Sequence, residues 1–192
     1  FNATNGAGST NSTTATFQII KDNVQFEGIW GNGTETRRQT TATLLALRGR
    51  DKNGSIVNVS LTHYLTIDGS TFDSGTGNYT NASGFSNYWF TAACTPTKYA
   101  VGAQTWKAQL SGDTCYQNNA TTGFFPGLVV NVTGDIKMNI SDPDAGSVYD
   151  QEETVPFLGA VDDDCGSPLT LDVSQVRYFA NQSASAIECS PV

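Results

Sequence analysis

The residues of this chain that most plainly specify chemistry are asparagines followed two positions later by serine or threonine. Eleven of the fifteen asparagines stand in this Asn-x-Ser/Thr spacing, the acceptor motif for N-linked glycans. One such motif is a weak signal, but this density predicts a glycosylated chain that functions outside the cytoplasm. The alternative is a polar, Asn/Thr-rich β surface without sugar. The acceptors are Asn2, Asn11, Asn32, Asn53, Asn58, Asn78, Asn81, Asn119, Asn131, Asn139 and Asn181.

Side chains that could catalyse a reaction are few, and no sequence motif organises them. His63 is the only histidine, in LTHYL, and no Gly-x-Ser-x-Gly elbow accompanies it. Carboxylate pairs serve glycosidases, but their geometry is spatial, and no spacing here specifies a reaction. We therefore predict that the chain is not an enzyme and that His63 is a surface or half-buried strand residue.

Carboxylates are concentrated in the last third of the chain, where eleven of the eighteen Asp and Glu residues follow residue 134. Some could offer oxygen ligands to Ca²⁺, which takes six to eight oxygens in proteins. They lack the order of a calcium-binding loop, so solvated turns are the alternative, and no cofactor is predicted beyond a candidate structural calcium ion. The calcium candidates are Asp142, Asp144, Asp162, Asp163 and Asp164.

The four cysteines are even in number and lack the Cys-x-x-Cys spacing of zinc and redox sites. In an exported chain this pattern predicts disulfides. Of the three possible connectivities the simplest joins cysteines that are close in sequence, namely Cys94 with Cys115 and Cys165 with Cys189.

Composition favours a folded, exported chain over a disordered one. Hydrophobic residues make up 38% of the 192 residues, while charged residues reach only 15%, below the roughly 25% of ordinary soluble domains. The net charge of −8 repels phosphate backbones, so nucleic acid is not an expected partner. Arg37 and Arg38 are interpreted as a solvated strand end. No apolar run approaches the roughly 18 residues that a membrane span requires.

Short runs of alternating apolar and polar residues predict an all-β fold. Examples are SIVNVSLTHYLTI (55–67) and GLVVNVTGDIKMNI (127–140), and turn signals such as DKNGS separate the runs. No segment combines a 3.6-residue period with helix caps, so little or no helix is expected. A β-sandwich is the leading architecture, with the acceptors Asn58, Asn131 and Asn139 on outward strand faces.

The order WFTAAC, VGAQTWKAQLSGDTCY and VVNVTGDI, followed by ISDPDAGSVYDQEETVPFLGAVDDDCGSPL, resembles the junction between tandem immunoglobulin-like modules. Such modules occur in large secreted surface proteins of archaea and bacteria. The likeness covers about residues 85–170. It implies an immunoglobulin-like or pilin-like β-sandwich with a structural or adhesive role, and it carries no catalytic residues.

These patterns predict a flexible or donor N-terminal arm (1–15), a β-sandwich (16–134), and a second, smaller or incomplete β-sandwich (135–192). The last part is short, because an immunoglobulin-like domain needs about 100 residues. Either the whole chain forms one sandwich with a long excursion, or a strand comes from a neighbouring subunit. The second arrangement resembles donor-strand pilus subunits and archaeal threads. Its donor strand would contain Phe17, Ile19, Val24 and Phe26.

We therefore expect a structural subunit of an extracellular glycosylated filament, pilus-like or thread-like, or of a surface layer. Copies of the chain would assemble head to tail at the cell surface and support adhesion. The expected partners are other copies of the chain and covalent N-glycans. The alternative is a glycan-binding adhesin module that uses exposed aromatic rings. Trp30 is the best candidate for exposure, although Trp30, Trp89 and Trp106 as a group are expected in the core.

Overall fold

The chain forms an all-β structure, as its alternating patterns predict. The computed structural model describes residues 2–4, 10–12, 18–40, 42–123, 125, 127–150, 152–170, 178–182 and 185–189. Among these residues the only helical segment is a 3₁₀ turn at Thr121–Gly123, and no helix there has the length and apolar character that a membrane crossing requires. In chain order the strands are β1 (Asn2–Thr4), β2 (Thr10–Ser12), β3 (Gln25–Trp30), β4 (Thr34–Arg37), β5 (Ala42–Asp51), β6 (Gly54–Ser55), β7 (Ser60–Leu65), β8 (Thr76–Tyr79), β9 (Phe85–Thr91), β10 (Gly102–Leu110), β11 (Asn119–Ala120), β12 (Val129–Thr133), β13 (Ile136–Asp142), β14 (Leu158–Asp163), β15 (Tyr178–Gln182) and β16 (Ser185–Cys189).

Two larger sheets form the body of the protein. The first has six strands in the order β4-β12-β10-β7-β8, with β11 also paired to β10. The β12–β4 pair is parallel, whereas the other pairs of this sheet are antiparallel. The second has four strands, in which β5 pairs antiparallel with β3, β6 and β9. Strands β5 and β10 are therefore the centres of the two sheets.

One hydrophobic core takes side chains from both sheets. Leu45 and Leu47 of β5 and Phe90 of β9 belong to the same buried cluster as Trp106 and Ala108 of β10. Their alternation is that of strands with one buried face, and burying such faces against each other is what holds two sheets together. The body is therefore sandwich-like, and Trp106 occupies the interior position that its alternating segment predicts.

The residues at the start of β3 and just before it correct part of the predicted donor strand. Val24 and Phe26 are 1% and 4% exposed and lie in the core of their own chain. They are therefore not free to fill a neighbouring subunit. Ile19 and Ile20, by contrast, are 84% and 76% exposed. Phe17 lies outside the described residues. Within the predicted arm the structure contains the short antiparallel pair of β1 and β2.

The described strands after β12 form two antiparallel pairs outside the larger sheets. Strands β13 and β14 pair antiparallel, with a register shift between Ile140 and Asp142, and β15 pairs antiparallel with β16. The buried core described above takes its last residue, Val132, from β12. The division of the chain near residue 134 stays a prediction, and the short C-terminal part is built from two-stranded units.

A disulfide joins the sandwich to the β13–β14 hairpin, and it is not the predicted one. Cys94 follows β9 and bonds to Cys165, which follows β14, across a sequence separation of 71 residues. Cys115 is a free, exposed thiol, so the expected Cys94–Cys115 and Cys165–Cys189 pairing is wrong. The side chain of Cys189 lies outside the described part of the chain. Proximity in sequence does not predict the observed pair, because the fold brings the end of β14 beside the segment that follows β9.

Arg38 provides a second, ionic connection between the same two parts. Its side chain is 2% exposed, and its guanidinium pairs with both Asp163 and Asp164 at the end of β14. Nη1 also donates to the Tyr99 carbonyl oxygen at 3.2 Å. Arg37 faces the opposite way, with its side chain 54% exposed beside Asp135. The interpretation of both arginines as a solvated strand end is correct for Arg37 and wrong for Arg38.

We expect Arg38→Met to lower the melting temperature by several degrees and Arg37→Met to change it little. Losing the buried guanidinium leaves Asp164 without its cation in a poorly solvated place, whereas exposed ion pairs contribute little. Differential scanning calorimetry of the two variants measures the contrast, and Arg37→Met is the matched control because it removes the adjacent arginine. Equal melting temperatures for the two variants would contradict a clamping role for Arg38.

Candidate functional site

His63, the one histidine, lies in the protein interior. It is fully buried, and its Nε2 is 2.9 Å from Ser86 Oγ, which in turn is 3.3 Å from the Asn78 carbonyl oxygen. These distances fit an Nε2–H group that donates to Ser86, whose hydroxyl donates to Asn78. Nδ1 has no hydrogen-bond partner among the described residues. Burial lowers the pKa of His63 to about 4, so the ring is neutral at pH 7, and the predicted surface or half-buried position is wrong.

The candidate calcium ligands are not assembled into a cation site. Asp163 lies 2.6 Å from Lys98 Nζ and 3.3 Å from Arg38 Nη2, and Asp164 also pairs with Arg38. The Lys98 ammonium and the Ser167 backbone N–H lower the pKa of Asp163 to about 2, so this carboxylate is already compensated.

The remaining acidic candidates do not complete a ligand set. Asp163, Asp164 and Cys165 are the one close group of metal-ligand residue types within the described ranges, and the Cys165 sulfur is in the disulfide. Asp162 precedes them on β14, while Asp142 and Asp144 lie at the far end of the hairpin. The geometry therefore favours an ionic clamp at Asp163 and Asp164.

Most of the glycan acceptors whose side chains are described lie at the surface. Asn131 on β12 and Asn139 on β13 are exposed, with Asn131 between buried neighbours, as the alternation predicts. Asn58 is exposed too, but it lies outside the strands, with φ of 58°. Asn119 is half-buried, and its Nδ2 donates to the Val24 carbonyl oxygen at 2.6 Å. The side chains of Asn2, Asn11 and Asn181 fall outside the described part, and the other exposed acceptors are Asn32, Asn53, Asn78 and Asn81.

Two of the three tryptophans are on the surface, which corrects the expectation that the group lies in the core. Trp106 is 1% exposed, whereas Trp30 and Trp89 are 51% and 64% exposed. A β-bulge explains the exposure of Trp30. Glu27 pairs with Arg48 and Trp30 pairs with Ala46, so β3 has one more residue than β5 between these two pairs. The extra residue inverts the alternation after Phe26 and turns Trp30 outward.

Glycine permits this bulge. Gly28 has φ of 58°, in the left-handed region that side chains disfavour, and a Cβ there would lie 3.0 Å from the Trp30 ring. The bulge turns Ile29 toward the core as Trp30 moves out. The exposure of Trp30 is thus a built feature of β3.

The outward Trp30 ring forms one wall of a cleft on the second sheet. The cleft has a volume of about 240 Å³ and is lined by Trp30, Leu44, Ala46, Asn81, Phe85 and Asn87. The Trp30 and Phe85 rings meet edge to face, with centroids 5.0 Å apart and planes at 74°. The Arg48 guanidinium lies 5.7 Å from the Phe85 ring centroid. Apolar rings beside amide groups suit a saccharide, which presents both C–H faces and hydroxyls.

A second exposed apolar surface lies on the β13–β14 hairpin. Ile136, Met138 and Ile140 alternate along β13 and are 62%, 77% and 61% exposed. Met138 stands opposite Val161 of β14, so the two share a face. Lys137 and Asn139 point to the other face. We call the surface formed by Ile136, Met138, Ile140 and Val161 the apolar face of the hairpin.

Comparison of the chain with protein-family models, curated proteins and solved structures finds no match in any of the three. Two surfaces of the protein therefore indicate its function, the cleft beside Trp30 and the apolar face of the hairpin. Sequence reasoning named Trp30 and the acceptors but missed Leu44, Ala46 and Phe85. The sequence does indicate the apolar face of the hairpin, because IKMNI alternates apolar and polar residues and so places its apolar residues on one strand face.

Proposed function

We propose that this protein is a structural subunit of an extracellular glycosylated filament or surface layer, assembled head to tail from copies of itself and supporting adhesion. The observation that carries the proposal is the apolar face of the hairpin. Ile136, Met138 and Ile140 are each more than 60% exposed, which is unusual for a row of large apolar side chains on one strand face.

The hairpin is also incomplete as a β structure. An isolated two-stranded hairpin is marginally stable in water, and a third strand or a packed face is normally needed. Within the described residues β13 pairs only with β14, so the outer edge of β13 retains unpaired backbone groups. The outer edge of β14 is partly occupied, because Asp163 N–H donates to the Ser167 carbonyl oxygen and Leu169 N–H to that of Val161. A strand from another subunit would satisfy an edge and cover the apolar face.

The base of the hairpin is fixed while its apolar face stays open. The Cys94–Cys165 disulfide and the ion pairs of Arg38 hold the end of β14 against the sandwich. The exposed acceptor Asn139 lies on the opposite face from Met138. A glycan there would leave the apolar face accessible, so glycosylation and assembly are compatible on one hairpin.

The occupant that we propose is the N-terminal segment of a second copy. Ile19 and Ile20 are exposed and precede both Asp22, whose backbone bonds to Cys115 and Gln117, and the first core residue, Val24. An extended segment that ends before Asp22 can leave its own sandwich without breaking these bonds or removing core side chains. Because the donor and the acceptor are different surfaces, the contact is heterologous and extends into a fibre unless the rotation closes. This limits the donor segment to residues before Asp22.

Met138→Lys should abolish assembly. A charged ammonium in the middle of the apolar face would have to be buried unpaired in the contact, which is strongly unfavourable. Negative-stain electron microscopy and sedimentation velocity at increasing protein concentration measure the effect. The matched control is Lys137→Gln, which changes the opposite face of the same strand and should assemble normally.

The outcome of this experiment decides the proposal. Fibres or oligomers formed equally well by Met138→Lys would remove the hairpin as the assembly surface. A wild-type chain that stays monomeric at high concentration would remove self-assembly altogether.

The exposed Trp30 favours a second candidate, a glycan-binding adhesin module. The cleft beside it offers two aromatic rings and the amides of Asn81 and Asn87. In this case a monomeric, unglycosylated chain would bind a specific saccharide on a glycan array, and Trp30→Ala would abolish that binding. Binding that survives Trp30→Ala would exclude the cleft as the adhesin site.

A further inference from the structure

We propose that the cleft beside Trp30 binds the chain's own glycan: the first saccharide linked to Asn81 packs against the Trp30 and Phe85 rings. The inference rests on the glycosylation included in the proposed function, but not on self-assembly. It assigns the cleft an occupant, because Asn81 is itself one of the residues that line it.

The turn that carries Asn81 holds the acceptor in a defined position. Asn81 Oδ1 accepts hydrogen bonds from the backbone N–H groups of Ser83 and Phe85, at 2.9 and 3.0 Å. The turn closes with Gly84 N–H donating to the Asn81 carbonyl oxygen at 2.8 Å, and Gly84 has φ of 83°. With its oxygen engaged, the Asn81 amide has a fixed plane. Nδ2, the atom that bears the sugar, has no hydrogen-bond acceptor among the described residues.

The turn is also attached to the sheet that forms the cleft. Arg48 Nε donates to the Ser83 carbonyl oxygen at 2.9 Å, and Gly49 N–H donates to the Gly84 carbonyl oxygen at 3.0 Å. Both partners are on β5, the strand that supplies the cleft floor. The acceptor and the aromatic walls are therefore positioned by the same strand, so docking the sugar requires little reorganisation.

The cleft has the size and chemistry for one saccharide ring. Its volume of about 240 Å³ is below the roughly 300–1,000 Å³ of pockets that enclose drug-sized ligands. The half-exposed Trp30 ring offers a face to the C–H side of a sugar, and Asn87 offers amide groups to its hydroxyls. Ala46, the cross-strand partner of Trp30, has a short side chain and so leaves room for a sugar ring to enter the cleft.

The neighbouring acceptor Asn78, on β8, provides a contrast. Its Nδ2 donates to the Asn87 carbonyl oxygen, and the hydroxyl of its motif, on Thr80, is buried and accepts from Val59 N–H at 3.0 Å. By comparison, Asn81 and Ser83 are both exposed. Of the two adjacent acceptors, Asn81 is the one that the fold leaves free and directs into the cleft.

A covalent sugar also has an advantage over any sugar from solution. Tethering makes docking intramolecular, with an effective concentration in the millimolar range or above for a short link. A weak aromatic contact that would not hold a free saccharide is then occupied most of the time. This distinguishes the inference from the adhesin candidate, in which the same cleft must stay open.

The test compares wild type with Ser83→Ala, which removes the acceptor motif, and with Ser83→Thr, which keeps it. Each is made in a eukaryotic secretory host and in a bacterial host without N-glycosylation. In secreted material we expect Ser83→Ala to lower the melting temperature by about 3 °C and Ser83→Thr to leave it unchanged. In bacterial material all three should melt together. In the Trp30→Ala background the effect of Ser83→Ala should vanish.

A second measurement does not depend on a Trp30 variant folding. Secreted wild type should show weaker iodide quenching of tryptophan fluorescence than secreted Ser83→Ala, because the sugar covers Trp30. Mass spectrometry of the peptide containing Asn81 records whether the sugar is present. A bare Asn81 would overturn the inference, as would a glycan whose removal changes neither melting nor quenching. The inference would also be overturned if fully glycosylated wild type bound free N-acetylglucosamine and Trp30→Ala lost that binding, because the cleft would then be open. The outcome is independent of the assembly test on Met138→Lys.

Discussion

Replacing Cys94 and Cys165 together by alanine should lower the free energy of unfolding by about 4 kcal/mol. The disulfide closes a loop with a sequence separation of 71 residues, and in the chain-entropy model a loop of this size restricts the unfolded chain by roughly that amount. A second effect acts on the native state, since the bond ties the end of β14 to the sandwich. Without it, the end of β14 is held to the sandwich by the ion pairs of Arg38 and Lys98 and by the hydrogen bond from Gln39 Nε2 to the Asp164 carbonyl oxygen.

Urea denaturation followed by far-ultraviolet circular dichroism measures this loss, with Cys115→Ala as the matched control. Cys115 is free and exposed, so its removal should leave the unfolding midpoint unchanged within error. Peptide mapping of the unreduced protein should recover the Cys94 and Cys165 peptides linked to each other. A double variant that is as stable as Cys115→Ala would show that this bond contributes little, and a Cys94–Cys115 link in the map would contradict the connectivity itself.

In the assembly that we propose, the disulfide and the buried ion pairs would connect the hairpin mechanically to the sandwich. A subunit pulled through β13 and β14 transmits force to the sandwich through Cys165, Asp163 and Asp164. A covalent bond at that junction resists load that hydrogen bonds alone would not. Of the calcium candidates at 162–164, Asp163 and Asp164 form the ionic half of this junction.

Strand positions and faces were predictable from the sequence where alternation is regular. β12 shows this most clearly, because Val130 and Val132 are buried and Asn131 between them is exposed. The period of two, with β-branched residues inward and an amide outward, needs no tertiary information. The same rule places Asn139 and the apolar face of the hairpin on opposite sides of β13.

Features that depend on one inserted residue or on distant contacts were not predictable. The bulge at Gly28 inverts the alternation after Phe26, so a strict period of two places Trp30 inside. The sequence alone leads to the interpretation of Arg38 as a solvated charge, because its partners Asp163 and Asp164 lie more than 120 positions later in the sequence. The bond between Cys94 and Cys165 is not predictable for the same reason, since proximity in sequence does not indicate where β14 ends.

His63 should make the protein sensitive to mild acid. Its pKa is about 4 in the folded state because burial disfavours the charged ring, against about 6.5 when unfolded. Well above pH 6.5 the ring is neutral in both states and contributes no pH dependence. As the pH falls from 6.5 toward 4, the unfolded chain binds a proton that the folded chain does not. The free energy of unfolding should therefore fall by about 3 kcal/mol across this window.

The geometry explains why the folded ring resists protonation. Nε2 already bonds to Ser86, and a proton on Nδ1 would create a second N–H that no described residue accepts. Tyr88 and Trp106 pack beside the ring, with centroids 5.5 and 6.4 Å away, and leave it no access to water. A buried charge with an unpaired donor is among the costliest changes that a core can undergo.

Urea unfolding at half-unit steps from pH 4 to pH 7.5, on wild type and His63→Gln, isolates the contribution of this residue. Glutamine can still donate to Ser86 but does not titrate, so the variant should be less stable at pH 7 yet show a much flatter profile below pH 6.5. Asp163 does not interfere with this measurement. Its pKa is about 2 in the folded state, so its contribution to the free energy of unfolding declines only as the pH falls below the unfolded value near 3.8. Parallel profiles for the two proteins would mean that water or a local opening reaches the ring, and that the interior around His63 is less closed than its burial indicates.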